Sequence, residues 1–180
     1  VLINSRVTHT LADSAYNQRR EECRQGVSIL RKSFPEVHAL RDANSDQLQA
    51  VRLKMPRPVA NRCRYVIEEN LRVLKALEAL EHSDMQTLGN LLWETHEGLR
   101  ELYEVSCPEL DFLVDTAMSL PDVAGSRMMG GGFGGCSLNL VRQEAIPEVI
   151  SHLLSAYRGR FGRDAEPLET DLGDGVRLLP

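Results

Sequence analysis

A basic excess is missing from this chain of 180 residues: 21 lysines and arginines stand against 26 aspartates and glutamates, for a formal net charge of −5. Nucleic acid asks for a concentrated positive face, so it is excluded as the main partner. Cysteine is sparse and scattered. Cys23, Cys63, Cys107 and Cys136 form no C-x-x-C pair, which points away from a zinc knuckle and from a disulfide framework. The five histidines include no H-E-x-x-H. No apolar run approaches the roughly 20 residues that cross a bilayer, and no signal peptide is visible, so no membrane partner is expected and a reduced cytoplasm is the expected compartment. Internal repeats, low-complexity tracts and long linkers are also lacking, and one domain over residues 1–180 is expected. Even the initiator methionine is absent. The chain opens Val1-Leu2-Ile3-Asn4, already inside an apolar strand-like run, and reads as the rear part of a longer polypeptide.

What is present is ordinary in bulk, 42% hydrophobic and 26% charged, as in a soluble globular protein. The exception is Gly130-Gly131-Gly132-Phe133-Gly134-Gly135. Five glycines in six residues cannot form a helix or strand interior, because glycine loses too much backbone freedom there. They offer positive φ and bare N–H groups that can approach a phosphate or another polypeptide closely. Gly130, Gly132 and Gly135 match G-x-G-x-x-G, yet a dinucleotide site needs a helix straight after the glycines. Here Cys136, Leu138 and Leu140 alternate with Ser137, Asn139 and Val141, a strand pattern. No Gly-Lys-Ser/Thr follows, so a P-loop is excluded as well. The glycines join two strands. They serve either as a structural hairpin or as a loop lining a polyanion site or closing on another domain.

The remaining pattern predicts a small, mostly antiparallel sheet carrying several helices, an α+β fold. A strand is expected over residues 1–5. A helix follows, with Asp13 or Ser14 as cap and Tyr16, Cys23, Val27, Leu30 and Phe34 inward, stopping before Pro35. A short helix is expected near residues 46–53. Two longer ones, residues 59–80 and 84–102, are joined by Ser83-Asp84 and should pack antiparallel; Cys63, Val66, Ile67, Leu71, Leu74 and Leu77 form the face of the first. Ser106 and Glu109 have the spacing of a capping box. Pro147 starts a last helix whose end is marked by Gly159 and Gly162, followed by a strand over 166–172, a turn at Gly173-Asp174-Gly175 and a strand over 176–179. Tyr16 is a core tyrosine on this reading, with a hydroxyl in need of a partner. Arg19 and Arg20 are read as a solvated face, and His96 as a hydrogen-bonded helix residue. Arg127 is either a phosphate partner or a strand-edge charge.

Ser126-Arg127-Met128-Met129-Gly130-Gly131-Gly132-Phe133-Gly134-Gly135-Cys136 resembles the third signature of the GHMP small-molecule kinases, in its galactokinase form. The stretch from Asn4 to Cys23, with Tyr16-Asn17-Gln18-Arg19-Arg20 at its centre, resembles the segment that begins the second half of galactokinases. Glu94-Thr95-His96-Glu97-Gly98-Leu99-Arg100 and Val105-Ser106-Cys107-Pro108-Glu109-Leu110-Asp111 are similar to two further stretches of that family. The resemblance implies a C-terminal domain resting on an N-terminal domain that this chain lacks. That half would hold a sugar-binding segment, a second glycine/serine-rich loop for the ATP phosphates and the aspartate assigned as base. The implied reaction is phosphorylation of α-D-galactose by ATP with Mg²⁺, giving galactose 1-phosphate. Another GHMP sugar kinase, or a non-catalytic relative that binds galactose and ATP, are the alternatives. Within this chain the resemblance implies no catalytic residue. It implies that Tyr16 binds a galactose hydroxyl and that residues 130–135 (Gly130, Gly131, Gly132, Phe133, Gly134 and Gly135) bound the phosphate side of the cleft. Two positions depart from the family: Thr8 stands where Lys or Arg is common, with Arg6 as a possible substitute, and Met129 stands where a small hydroxyl residue is usual, for which local repacking is expected.

Overall fold

The computed structural model describes residues 1–7, 12–168 and 170, with the side chains of residues 12–14 left out. Strands β1 (Leu2–Asn4), β2 (Val123–Met128), β3 (Cys136–Val141) and β4 (Glu166–Leu168) form one antiparallel sheet in the order β2-β3-β1-β4. The helices are α1 (Ala12–Arg31), α2 (Ser45–Val51), α3 (Arg57–Glu81), α4 (Met85–Gly98), α5 (Pro108–Met118) and α6 (Ile146–Phe161). This is the α+β architecture that the sequence leads one to expect. Proline sits in the first turn of α3, α5 and α6, where its missing N–H would have had no helical partner. Asn44 and Gln47 close a reciprocal capping box on α2, and Asp84 accepts the Thr87 N–H at 2.9 Å to start α4.

The sheet is covered from both sides. Ile3, on one face, packs with Leu113, Ala117, Leu153 and Tyr157 of α5 and α6. Helix α4 lies on β2 backbone to backbone: a Cβ on Gly89 would stand 1.9 Å from the Ala124 carbonyl oxygen, and one on Gly125 would stand 2.4 Å from the Gly89 Cα. Both glycines are therefore required by close approach. A separate apolar core joins α1, α2 and α3 through Leu30, Val51, Val59, Cys63 and Ile67. Burial there pushes the Cys63 thiol up to about 12, which keeps it protonated and inert.

Several expectations need correction. Helix α4 ends at Gly98 and gives way to one π-helical turn, Leu99–Tyr103, in place of the α-helix expected through residue 102. The Ser106 hydroxyl caps no helix; it donates to Asp111, and Cys107 takes the N-cap position. Asp13 and Ser14 fall inside α1, which begins at Ala12. Gly159 lies within α6, while Gly162 ends it with φ +66°. Leu71, Leu74 and Leu77 are exposed, so only the first half of α3 buries the expected face. Strand β4 stops at Leu168, and the turn at 173–175 and the strand over 176–179 lie outside the described residues.

Candidate functional site

The glycine stretch is the connection between β2 and β3, a hairpin at one end of the sheet. Met129 N–H donates to the Cys136 carbonyl at 2.9 Å and closes its base. Gly130, Gly132, Gly134 and Gly135 all have positive φ, and so does Phe133 at +61°. Two of the glycines are pinned by their neighbours. A Cβ on Gly132 would stand 2.2 Å from the Val105 carbonyl oxygen, and one on Gly134 would stand 2.3 Å from that of Val7. Those same two carbonyls hold the loop by accepting the N–H of Phe133 at 2.6 Å and of Gly135 at 3.3 Å. Ser5 adds its N–H and its hydroxyl to the Gly135 carbonyl at 2.9 and 2.8 Å, while the buried Tyr157 hydroxyl donates to the Ser5 carbonyl at 2.8 Å.

The loop is thus an arch with its feet fixed in the domain and its crown open. Phe133 is tucked under it against Val105, Cys107, Leu110 and Met128. Gly130, Gly131 and Met129 are exposed, and a Cβ on Gly130, Gly131 or Gly135 would meet nothing within 4 Å. Among the described residues, the N–H groups of Gly130, Gly131, Gly132 and Gly134 donate to no backbone carbonyl. Exposed N–H groups without a backbone acceptor, as at Gly130 and Gly131, suit an anion.

Tyr16 projects from α1 with 52% of its surface exposed, which overturns its reading as a core tyrosine. The apolar face of α1 closes only further along, at Cys23, Val27 and Leu30. Arg19 corrects the reading of a solvated face: it is buried, and it donates to the carbonyls of Tyr103 at 2.7 Å and Glu104 at 3.0 Å. Arg62 of α3, 2% exposed, reaches Glu22 and Glu104 at 2.8 Å each and also donates to the Leu102 carbonyl. The bond from Arg62 holds the Glu104 carboxyl below its ordinary value, against the weaker opposing pull of burial. Glu104 itself has φ +53°, a left-handed residue locked by this network.

One segment therefore joins the two sequence-predicted features. Residues 99–107 accept Arg19 and Arg62 from the Tyr16 side and offer the Val105 carbonyl to the arch. Burial raises the Tyr103 phenol, with further contributions from Cys23 and the neighbouring Tyr16. No direct contact between Tyr16 and the arch is found among the described residues; the connection runs through this segment.

Arg127 turns away from the arch to Glu69 of α3, at 3.9 Å, and belongs to the helix side of β2. Arg6 pairs with Glu166 of β4 at 3.2 Å, in the open at the sheet margin, and Thr8 lies outside the described residues. Met129 is exposed, so the expected repacking around it does not arise. His96 does make the predicted hydrogen bond, and its buried partners were not foreseen. Among the described residues no group of three or more His, Cys, Asp and Glu side chains could hold a metal ion, and no helix is long and apolar enough to cross a membrane. A groove of about 540 Å³ between α1, α3 and the 38–41 turn includes neither Tyr16 nor any arch residue.

The family described as GHMP kinases C terminal matches residues 76–159, from the second half of α3 to the end of α6. The galactokinase of Roseiflexus sp. strain RS-1 is 44% identical over 176 residues, which is 98% of this chain and 45% of that protein. The galactokinase of Thermotoga maritima is 41% identical over 179 residues, 99% of this chain and 48% of that protein. In three dimensions the chain matches the Lactococcus lactis galactokinase solved with galactose at TM-score 0.85 and 28% identity, over 92% of this chain and 42% of that one. The L. major mevalonate kinase solved with R-mevalonate, at TM-score 0.56 and 22% identity, shares the fold. Residues 76–159 thus carry the match to the C-terminal family of the GHMP kinases, and the chain shares the fold of that domain. Its likeness over nearly its whole length is to galactokinases. It spans about half the length of the curated relatives it matches.

Proposed function

We propose that this chain is the C-terminal part of a galactokinase that transfers the γ-phosphate of ATP to the C1 hydroxyl of α-D-galactose, giving galactose 1-phosphate and ADP. The observation that carries this reading is the identity of 40–44% to galactokinases over almost every residue, spanning both the Tyr16 helix and the arch. In this reading Tyr16 hydrogen-bonds a galactose hydroxyl. Its exposure fits a contact made with a ligand or with polypeptide outside this chain, not with the domain core. The arch closes the phosphate end of the cleft. Its bare N–H groups at Gly130, Gly131 and Gly132 fit phosphate oxygens, and holding the phosphate in line with the sugar hydroxyl supplies positioning and charge neutralisation.

The donors at the arch are backbone N–H groups and offer Mg²⁺ no ligand. We therefore assign Mg²⁺, most of the ATP contacts and the catalytic base to an N-terminal domain outside this chain. Free thiols at Cys23, Cys63, Cys107 and Cys136 suit a reducing compartment, which supports the cytoplasm as the working site.

The test is a fusion of the N-terminal half of the Roseiflexus relative to residue 1 of this chain, assayed for ATP-dependent phosphorylation against a panel of sugars. Galactose 1-phosphate formation is the expected result. A fusion that melts cooperatively but prefers a different sugar assigns another GHMP sugar kinase. One that melts cooperatively and binds galactose and ATP without turnover shows that this chain does not complete a galactokinase active site, and counts against the reading.

A further inference from the structure

The arch has two feet on one rigid unit, and the second foot is built from a side chain. Strand β2 is at the edge of the sheet. Its last residue, Met128, pairs with Ser137 across the hairpin, and its N–H points outward, where there is no further strand to accept it. The acceptor is Nδ1 of His96, from α4, at 3.2 Å. His96 is 0% exposed. A ring nitrogen that accepts a backbone N–H is bare, so in the neutral ring the proton sits on Nε2. Nε2 faces Asp111 of α5, 3.1 Å from Oδ1, in a bent contact that leaves it without an aligned acceptor. The Ser106 hydroxyl donates to the same Oδ1 at 2.5 Å. Burial works against the Asp111 charge, but the close His96 ring and the bond from the Ser106 hydroxyl outweigh it and keep the carboxyl below its ordinary value.

These contacts close a ring. From Met128 it passes through His96, Asp111 and Ser106 to Val105, whose carbonyl holds Phe133, and returns along the glycines to Met128. Inside it lies the apolar cluster of Val105, Cys107, Leu110 and Met128 with Phe133. The exposed crown, Met129 to Gly131, is strung between these anchored feet.

We propose that His96 is a positioning residue for phosphoryl transfer. The neutral imidazole, with Nε2–H toward Asp111 and Nδ1 toward Met128, fixes where β2 delivers the backbone into the arch, and hence where the N–H groups of Gly130 to Gly132 stand. The catalytic consequence rests on the proposed kinase reading; the structural claim does not.

Three substitutions separate the parts of the claim. In His96→Asn the side-chain oxygen occupies the place of Nδ1 and still accepts the Met128 N–H. His96→Gln places its amide nearer Nε2 and leaves that N–H without a partner. His96→Leu removes both contacts. In the isolated chain, ¹⁵N spectra should show Nε2 protonated and Nδ1 bare. Hydrogen exchange at the Met128 amide should accelerate on the order of tenfold or more in His96→Leu and His96→Gln, relative to the neighbouring amides of β2, and return to the parent rate in His96→Asn.

In the fusion with the Roseiflexus N-terminal half, misplacing the arch should lower kcat on the order of 10- to 100-fold in His96→Leu and His96→Gln. KM for galactose should change less than about twofold and His96→Asn should retain most of the activity, because the Tyr16 end is held separately by Arg19 and Arg62. A proton on Nδ1, an unchanged Met128 amide in folded His96→Leu, or normal kcat in a variant that merely melts earlier overturns the proposal. If His96→Leu does not fold, the contrast between His96→Asn and His96→Gln carries the decision. An inactive parent fusion counts against the kinase reading, while the amide and tautomer measurements still decide the role of His96 in the arch.

Discussion

Single residues along the arch divide by what a Cβ would meet, and that division gives the first prediction. At Gly132 and Gly134 a methyl group would enter the Val105 and Val7 carbonyls, at a positive φ that already disfavours a side chain. Gly132→Ala and Gly134→Ala should each destabilise the isolated chain by about 1–3 kcal/mol. Gly131→Ala meets open space without positive φ, and its melting temperature should stay close to the parent's. Thermal melts of the three variants check this; equal loss in all would mean that the pinned feet do not exist. Tyr16 gives the second prediction. Tyr16→Phe should leave stability within about 0.5 kcal/mol, as expected of an exposed side chain. In the active fusion it should raise KM for galactose by about 0.5–1.5 kcal/mol equivalent, with ATP affinity nearly unchanged. A change in ATP affinity alone would remove Tyr16 from the sugar site. The arch was legible in the sequence because five glycines in six residues have few other uses. Its feet were not: nothing about Val7, Val105 or His96 as letters announces a carbonyl or a ring nitrogen that meets a loop far away in the chain.

Elements were read well where a periodic face and a proline mark coincide, as in α6, and less well where tertiary contact decides. The face of α3 has helical spacing throughout, but only its first half meets α1 and α2. Periodicity fixes that a helix forms; it does not say how far its partners extend. The π-helical turn at Leu99–Tyr103 has the sequence spacing of plain helix, because the Arg19 and Arg62 bonds that hold its end come from remote positions. Gly89 and Gly125 are isolated glycines whose purpose appears only when α4 lies on β2. Gly89→Ala should therefore cost about 1–3 kcal/mol or more in denaturant unfolding, well beyond the helix-propensity gain of alanine over glycine. The buried ion network gives a prediction with a pH sign. Glu104 has a folded value below its ordinary 4.5, so its pairing with Arg62 contributes stability that is present above that value. The contribution is lost as pH falls through the lowered folded value. Glu104→Gln should melt below the parent at pH 7, and the gap between the two should close as pH falls below about 4. A gap that persists or widens in acid would show that the carboxylate charge is not what the network uses.

At the scale of the whole molecule, the geometry suits the half-cleft that the proposed function assigns to it. Tyr16 and the arch crown are both open, and both hang from the same 99–107 segment, so their spacing is fixed before any ligand arrives. Pre-set spacing is what in-line phosphoryl transfer requires, since little of its barrier is removed except by placement and charge. Yet the arch supplies only backbone donors, and among the described residues no group of three or more His, Cys, Asp and Glu side chains could hold a metal ion. The isolated chain should therefore fold with a cooperative melt but show no ATP-dependent galactose phosphorylation above background. Joined to the N-terminal half of the Roseiflexus galactokinase, whose length this chain matches to only 45%, it should gain that activity. The two results argue as a pair. Turnover by the isolated chain would place base and phosphate site within these 180 residues and defeat the division of labour proposed here. Turnover by the fusion that is abolished by Gly132→Ala, while the same substitution leaves a folded domain, would assign the loss to the arch and not to a collapsed fold. If that variant, once shown to be folded, kept the parent's kcat, the arch would be a hairpin of its own domain and nothing more.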